Sequence, residues 1–190
     1  MGKAGLYPIS DLIDRSCLTT FDCVPPTCST KSALNDYTSI NQFLVNEAYD
    51  FDIGNLAKTF VYLQDNVVVG FFTTLASLTT IKNTYRKEKK IITNGASNYP
   101  VIDIVYFAID KHYQRRQLGS ALMKALLTML YENVITHTGV ALVTVQALET
   151  AVPFYTQNFS FERHASRNPR GQQEMALTIP EIAQLIDANL

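Results

Sequence analysis

The sequence lacks several features that would point to particular classes of protein. No apolar run approaches the length of a membrane span, and the opening residues lack the apolar core of a signal peptide. The 16 Lys and Arg residues nearly balance the 17 Asp and Glu residues, giving a formal net charge of −1. This balance excludes an overall electrostatic drive toward nucleic acid but not a local basic patch. We therefore expect a cytoplasmic protein that does not associate with membranes.

Cysteine is scarce and unpaired in its spacing. Cys17, Cys23 and Cys28 are odd in number, crowd near the N-terminus and lack the CxxC spacing of a zinc site. The three histidines lie far from them in the sequence. We expect no metal site and reduced, free thiols, with a redox pair between Cys23 and Cys28 as the alternative.

The length and composition fit one globular domain over residues 1–190. Hydrophobic residues make up 47% of the chain and no internal repeat is visible. Residues 1–35 are expected to be irregular. Ser39 and Gln42 then have the spacing of a capping box and precede apolar residues at helical period, which predicts a helix that begins there and ends before Gly54.

The middle of the chain alternates between strand and helix patterns. Two runs rich in β-branched and aromatic residues, 59–64 and 67–75, flank a two-residue turn signal and predict a hairpin. An apolar strand over 101–109, a helix from Leu118 and a buried strand over 140–145 predict a βαβ unit. A short helix, a strand pair and a terminal helix are expected at 151–158, around Phe161 with 174–178, and after Pro180.

The junction between the strand over 101–109 and the following helix carries the first functional signal. A loop that feeds a helix N-terminus directs unpaired backbone N–H groups and the positive end of the helix dipole at one point, which suits a pyrophosphate. Gly119 permits close backbone approach, and Arg115 and Arg116 supply charge for phosphate oxygens. The spacing of a P-loop or a dinucleotide-binding fingerprint is absent. Alone, the junction indicates either an anion site or a solvated turn.

Two segments resemble motifs of the GNAT acetyltransferases. The run from Phe107 to Leu122 resembles the family's cofactor pattern [QR]-x-x-G-x-[GA], with Gln114 at its first position, Gly119 at its last and Gln117 in place of the first glycine. Further on, the segment AVPFYTQNFSF resembles the pattern A-x-x-x-Y-x-x-x-G-F, with Tyr155 at the tyrosine and a serine in place of glycine.

The resemblance implies a fold and a cofactor. The expected fold is α+β (α/β/α), a mixed central sheet with splayed central parallel strands and flanking helices, with a catalytic core over 59–178. The implied cofactor is acetyl-CoA. The resemblance places it against Phe107, Ala108, Ile109, Gln114, Arg115, Arg116, Gln117, Leu118, Gly119 and Ser120.

Tyr155 is implied as the general acid that protonates the thiolate of coenzyme A. The alternative is a helix tyrosine buried against the sheet. Asp103 is the candidate general base, because it shares a strand face with Val101, Val105 and Phe107, where a carboxylate needs a purpose or a partner. A similar strand in histone-type GNAT enzymes carries a glutamate base, and the shorter aspartate can act through water. The alternative is a carboxylate paired with a nearby Lys or Arg.

The leading hypothesis is an acetyl-CoA-dependent N-acetyltransferase that acts on a primary amine of a small molecule, peptide or protein by direct attack. The N-terminal half also resembles the toxin-type branch of the family, which acetylates aminoacyl-tRNA; this is the second hypothesis, and the chain's slight acidity does not favour it. The basic run over 82–90 is expected to be a charged loop or a frayed helix, and it is either solvated or a local site for an acidic substrate or RNA. A non-catalytic acyl-CoA-binding module is the third hypothesis. A homodimer is compatible with each.

Overall fold

The computed structural model describes residues 4–92, 95, 97–169 and 171–188. Its contacts divide the chain into two compact units, the first made of Met1–Leu75 with Tyr106–Met123 and the second of Ala76–Val105 with Lys124–Leu190. Each unit has its own set of packed side chains. One domain over 1–190 therefore remains a prediction.

Seven strands and six α-helices occur in the described residues. The strands are β1 (Gly5–Pro8), β2 (Lys58–Gln64), β3 (Val67–Thr79), β4 (Tyr99–Ile109), β5 (Leu142–Ala147), β6 (Glu162–Arg163) and β7 (Gln173–Thr178). The helices are α1 (Lys31–Asn46), α2 (Ala48–Ile53), α3 (Asn83–Glu88), α4 (Leu118–Leu130), α5 (Val152–Phe159) and α6 (Ile179–Asp187). Short 3-10 turns occupy Ile9–Asp11, Ser16–Thr20 and Glu149–Ala151, and a π-helical turn, Tyr131–Ile135, continues α4.

The strands form one mixed sheet in the order β1-β2-β3-β4-β5-β7-β6. The pairs β1 with β2, β2 with β3, β5 with β7, and β6 with β7 are antiparallel. The pair β4 with β5 is parallel, and its ladder runs from Val101↔Leu142 to Ile104↔Val145. Both strands continue past the end of this ladder, as expected for central strands that splay. The predicted α+β fold with a mixed sheet and flanking helices is confirmed.

The first unit packs around the buried faces of α1, β2 and β3. Its core includes Phe43, Val61 and Phe71, all at most 3% exposed. Phe43 stacks on Tyr106 with ring centroids 3.9 Å apart, so α1 lies against the last third of β4. In the hairpin that joins β2 to β3, both turn residues adopt the left-handed conformation, in agreement with the predicted two-residue turn.

The second unit has a core cluster that joins α3 to its strands. Tyr85 of α3 packs with Val101, Leu142 and Ala176. Its hydroxyl donates a hydrogen bond to the Ala176 carbonyl at 3.4 Å. Lys89, just after α3, binds the carboxylates of β6 and α6 at 2.5 and 2.6 Å. The basic segment over 82–90 is therefore a short helix with a fixed end rather than a loop.

The N-terminal part differs from the sequence-based expectation. Residues 5–20, expected to be irregular, contain β1 and two 3-10 turns, and α1 begins at Lys31 rather than near Ser39. The N-cap is Thr30, whose side chain accepts a hydrogen bond from the backbone N–H of Ala33. Ser39 instead lies inside the helix, where its hydroxyl donates to the Asn35 carbonyl at 2.9 Å. The S-x-x-Q pattern there is not a cap, and the predicted start was wrong.

Candidate functional site

The loop between β4 and α4 has the backbone geometry of an anion-binding turn. Arg115 and Gln117 adopt left-handed φ angles of 60° and 61°. Residues in that conformation turn successive N–H groups toward one side of the chain, and α4 then begins at Leu118. The Gln117 carbonyl accepts the N–H of Ala121 at 3.0 Å, which closes the first turn. The loop therefore has a left-handed turn at a helix start, and its role as an anion site stays a prediction.

Charge at this loop is available to a ligand. Arg115, Arg116 and Gln117 are exposed, and none of the three forms an ion pair with the residues that the structure describes. The guanidinium of Arg116 lies 5.9 Å from the centroid of the Tyr113 ring. Two exposed cations beside a helix start suit the pyrophosphate of coenzyme A. The residues present therefore fit the implied cofactor.

Gln114, the first residue of the motif, has a different position from its neighbours. Its side-chain amide donates to the backbone carbonyls of Cys23 at 2.9 Å and Ile109 at 3.0 Å. Both amide hydrogens are thereby used within the protein. Gln114 holds the base of the loop, and its side chain does not extend toward a phosphate.

The end of β4 is held close to β3 by a glycine. A Cβ placed on Gly70 would lie 2.6 Å from Cδ1 of Ile109 and 2.9 Å from the Ala108 carbonyl oxygen. Ala108 is buried, whereas Phe107 and Ile109 are half-buried. Gly70 was not singled out in the sequence, and its role depends on a strand pairing that no local pattern shows.

In the second unit, Asp103 is hydrogen-bonded to a neighbouring strand. Its Oδ1 accepts a 2.9 Å hydrogen bond from Oγ1 of Thr144, its partner in the parallel ladder. Thr144 is 5% exposed. Asp103 makes no ion pair with a described Lys or Arg, so the paired-carboxylate alternative is not supported. Its Oδ2 accepts no hydrogen bond from the described residues and is not sealed from solvent.

The electrostatic surroundings of Asp103 favour a proton acceptor. Burial raises the pKa of its carboxyl, the Thr144 hydrogen bond partly offsets this effect, and the negative charge of Glu174 raises the pKa further. A carboxylate with a raised pKa holds a proton more readily than an ordinary aspartate. Thr144 was missed from the sequence, although a threonine within the apolar run ALVTVQAL was a usable signal.

Tyr155 lies on α5 and is 4% exposed. Its ring contacts Phe161 edge-on, with centroids 5.5 Å apart. Its hydroxyl forms no hydrogen bond with the described residues. It is also not one of the side-chain polar atoms there that are both inaccessible to solvent and without a hydrogen-bond partner. Burial raises the pKa of the phenol, so the group keeps its proton at neutral pH. Ser160, at the family's glycine position, ends α5 with a φ of 58°.

Other site classes find no support in the described residues. No group of three or more His, Cys, Asp or Glu side chains there could hold a metal ion. No helix in the described ranges has the length and hydropathy to span a bilayer. Cys17, Cys23 and Cys28 are free cysteines, and burial raises the pKa of the Cys23 thiol to about 12.

Residues 29–161 match the acetyltransferase (GNAT) family, and the chain belongs to that family. It is therefore an enzyme that transfers an acyl group from acetyl-CoA, and the mixed sheet agrees with this class. No curated protein sequence matches the chain.

Solved structures of low sequence identity share the fold over nearly the whole chain. A bacterial toxin matches with a TM-score of 0.76 at 17% identity, covering 97% of each chain. AtaT complexed with acetyl-methionyl-tRNAfMet matches with a TM-score of 0.75 at 19% identity, covering 96% of this chain and 99% of AtaT. A Tyr-to-Phe mutant of the AtaT toxin, bound to acetyl-CoA and the C-terminus of the antitoxin AtaR, matches with a TM-score of 0.69 at 17% identity over 98% and 99%.

Proposed function

We propose that this enzyme acetylates the amino group of an aminoacyl-tRNA, with acetyl-CoA as the acetyl donor. The observation that carries the proposal is the extent of the likeness to AtaT, which covers 96% of this chain and 99% of that one and so extends beyond the family match over residues 29–161. AtaT in that structure carries acetyl-methionyl-tRNAfMet. From the sequence alone this acceptor was the second hypothesis, after a primary amine of a small molecule, peptide or protein.

A cationic surface supports an RNA acceptor despite the net charge of −1. Lys82, Lys87 and Lys90 are exposed at α3, and Arg86 beside them is half-buried. None of the four forms an ion pair with described residues, whereas their neighbour Lys89 binds the carboxylates of Glu162 and Glu181. Unpaired lysines and arginines are the groups that contact phosphates.

The catalytic roles follow from the two environments described above. Acetyl-CoA, when bound, supplies the acetyl group as an activated thioester. The loop N–H groups, Arg115 and Arg116 would hold the pyrophosphate, and the backbone of residues 107–109 would orient the pantetheine arm. Asp103 would accept the proton that the attacking amine loses, directly or through water. Tyr155 would donate its phenolic proton to the departing thiolate.

The test is transfer of labelled acetyl to purified aminoacyl-tRNA. We expect labelled N-acetyl-aminoacyl-tRNA from the native enzyme and a loss of about 100-fold or more in Tyr155→Phe, the lower range for a general acid. Tyr131→Phe, which changes a half-buried tyrosine of the same unit, is the matched control and should keep its activity. Absence of label in RNA under conditions where acetyl-CoA binds would refute the tRNA acceptor.

A free amine is the second candidate acceptor. It is favoured by the exposure of Gln146 and Val105, which lie on the same sheet face as Asp103. A panel of polyamines, amino acids and peptides, assayed by release of free thiol, separates the two candidates. Turnover of an amine together with no transfer to RNA would establish this second acceptor.

A further inference from the structure

Asp22 connects the segment before α1 to the residues that begin the cofactor loop. Its backbone N–H donates to Oδ2 of Asp110 at 3.0 Å, and its carbonyl accepts the backbone N–H of Lys111 at 2.8 Å. Its Oδ2 accepts from Nζ of Lys111 at 2.8 Å, and its Oδ1 accepts from the Val24 N–H and from Nδ2 of Asn41. Every polar group of Asp22 is used.

Asp110 is the buried end of this connection. It is 4% exposed and follows β4 directly. Its N–H donates to the Val69 carbonyl at 2.9 Å, and its Oδ1 accepts the N–H of His112 at 2.9 Å. A buried carboxylate is tolerated when hydrogen bonds replace its lost hydration, and here backbone N–H groups on both sides do so. Asp110 therefore ties the start of the loop to residue 22.

Asn41 and Gln114 complete the cluster from opposite sides. Oδ1 of Asn41, on α1, accepts the N–H of Cys23 at 3.0 Å, while its Nδ2 donates to Asp22 at 2.9 Å. Gln114 donates to the Cys23 carbonyl at 2.9 Å. The segment 22–24 is thus held between a helix side chain and a loop side chain. We call Asp22, Asn41, Asp110, Lys111 and Gln114 the loop-base cluster.

Asp22 and Lys111 form an ion pair within the cluster, and each stabilises the charged form of the other. Burial opposes ionisation of Asp22, but its hydrogen bonds with Lys111, Val24 and Asn41 outweigh burial and lower the pKa of its carboxyl. The hydrogen bond between Lys111 and Asp22 also raises the pKa of Lys111. Asp22 and Lys111 are therefore charged over the physiological range, and the bond between them persists there.

We propose that Asp22 and Asn41 are positioning residues for the cofactor: through Asp110 and Gln114 they set the backbone direction of the loop that binds the pyrophosphate. The inference rests on the proposed cofactor role of residues 114–120. Neither residue needs to contact the ligand. The loop has left-handed residues at 115 and 117, and these conformations are unfavourable unless surrounding contacts hold them. The contacts at the ends of the loop therefore determine its backbone direction.

The test compares ligands with and without the pyrophosphate. We expect Asn41→Ala to weaken acetyl-CoA binding, measured by calorimetry, by about tenfold, a size typical of losing a group that orients a ligand-holding residue. Binding of acetyl-pantetheine, measured by NMR titration, should stay unchanged, because it lacks the pyrophosphate. Asp22→Ala should act in the same direction and more strongly. Gln42→Ala, an exposed neighbour on α1, is the matched control and should affect neither ligand.

Arg116→Ala separates failure of this inference from failure of the proposed site. If Arg116→Ala weakens acetyl-CoA binding and Asn41→Ala does not, the loop is the cofactor site but the cluster does not position it. If Arg116→Ala and Arg115→Ala together leave affinity unchanged, the loop is not the site and both proposals fall. Equal weakening of both ligands in Asn41→Ala would show general disruption and would also overturn the inference.

Discussion

Replacing Gln117 by glycine should stabilise the enzyme. Gln117 has a φ of 61° and an exposed side chain, and its backbone carbonyl caps the first turn of α4. A left-handed conformation costs a residue with a Cβ about 1–2 kcal/mol, and glycine avoids this cost. The family pattern has glycine at this position, so the substitution follows the resemblance as well as the geometry.

The expected gain is the difference between two opposing effects. Relief of about 1–2 kcal/mol in the folded state is offset by about 0.5–1 kcal/mol, the cost of restricting glycine on folding. The net is about 0–1.5 kcal/mol, with a midpoint of about 0.75 kcal/mol of added stability. For a chain of this size the midpoint corresponds to a rise in Tm of about 2–3 °C. No packing is lost, because the side chain is exposed and makes no hydrogen bond with the described residues.

The assay is urea unfolding at neutral pH combined with thermal unfolding. Arg116→Gly is the matched control: it is adjacent and exposed but does not have a positive φ, so it should destabilise by about 0.5–1 kcal/mol. The two substitutions should thus have opposite signs. Equal destabilisation by both would refute the reasoning, since it would mean that the left-handed backbone at Gln117 carries no cost. Ser160→Gly, at a φ of 58° in the second unit, should repeat the gain.

Three further substitutions test other parts of the structure. Asp103→Asn should raise Tm at neutral pH and lose that gain below about pH 3.9, because a raised carboxyl pKa penalises folding only when the group is charged. Burial lowers the pKa of His164, so urea stability should fall as the pH drops below about 6.5, and His164→Phe should remove that fall; an unchanged slope would contradict the assignment. Gly70→Ala should destabilise by about 1–3 kcal/mol because its Cβ meets a backbone oxygen, whereas Gly139→Ala, with open space around it, should not.

The sequence predicted the elements that carry a strong local pattern. These are the hairpin of β2 and β3 with its tight turn, and the apolar face of α4. Each is encoded in consecutive residues and appears within a few positions of the expected bounds. The start of α1 was missed because its first turns carry few apolar residues and a polar pair at Ser39 and Gln42 imitated a cap. Propensity could not separate a threonine that caps from a serine that bonds within the helix.

The same distinction separates the parts of the site that could be read from the chain. The loop proposed to bind the cofactor could be singled out because strand end, turn and helix start are contiguous. Its supports were not, since Asp22 and Asp110 are far apart in the sequence and meet only through the fold. Thr144 likewise reaches Asp103 only through the register of a parallel ladder. A motif therefore locates the groups that touch a ligand better than those that hold them.

The two departures from the family motifs have one physical explanation. Gln117 and Ser160 both stand where the family pattern has glycine, and both retain the left-handed backbone that glycine ordinarily supplies. Both positions thus have a left-handed backbone without the glycine that adopts it at the lowest free-energy cost. Since the donors of an anion-binding turn are backbone N–H groups, the loop keeps its donors whichever side chain is present. We therefore expect the substitutions to affect stability more than cofactor binding, which argues against inferring a non-catalytic role from the missing glycines.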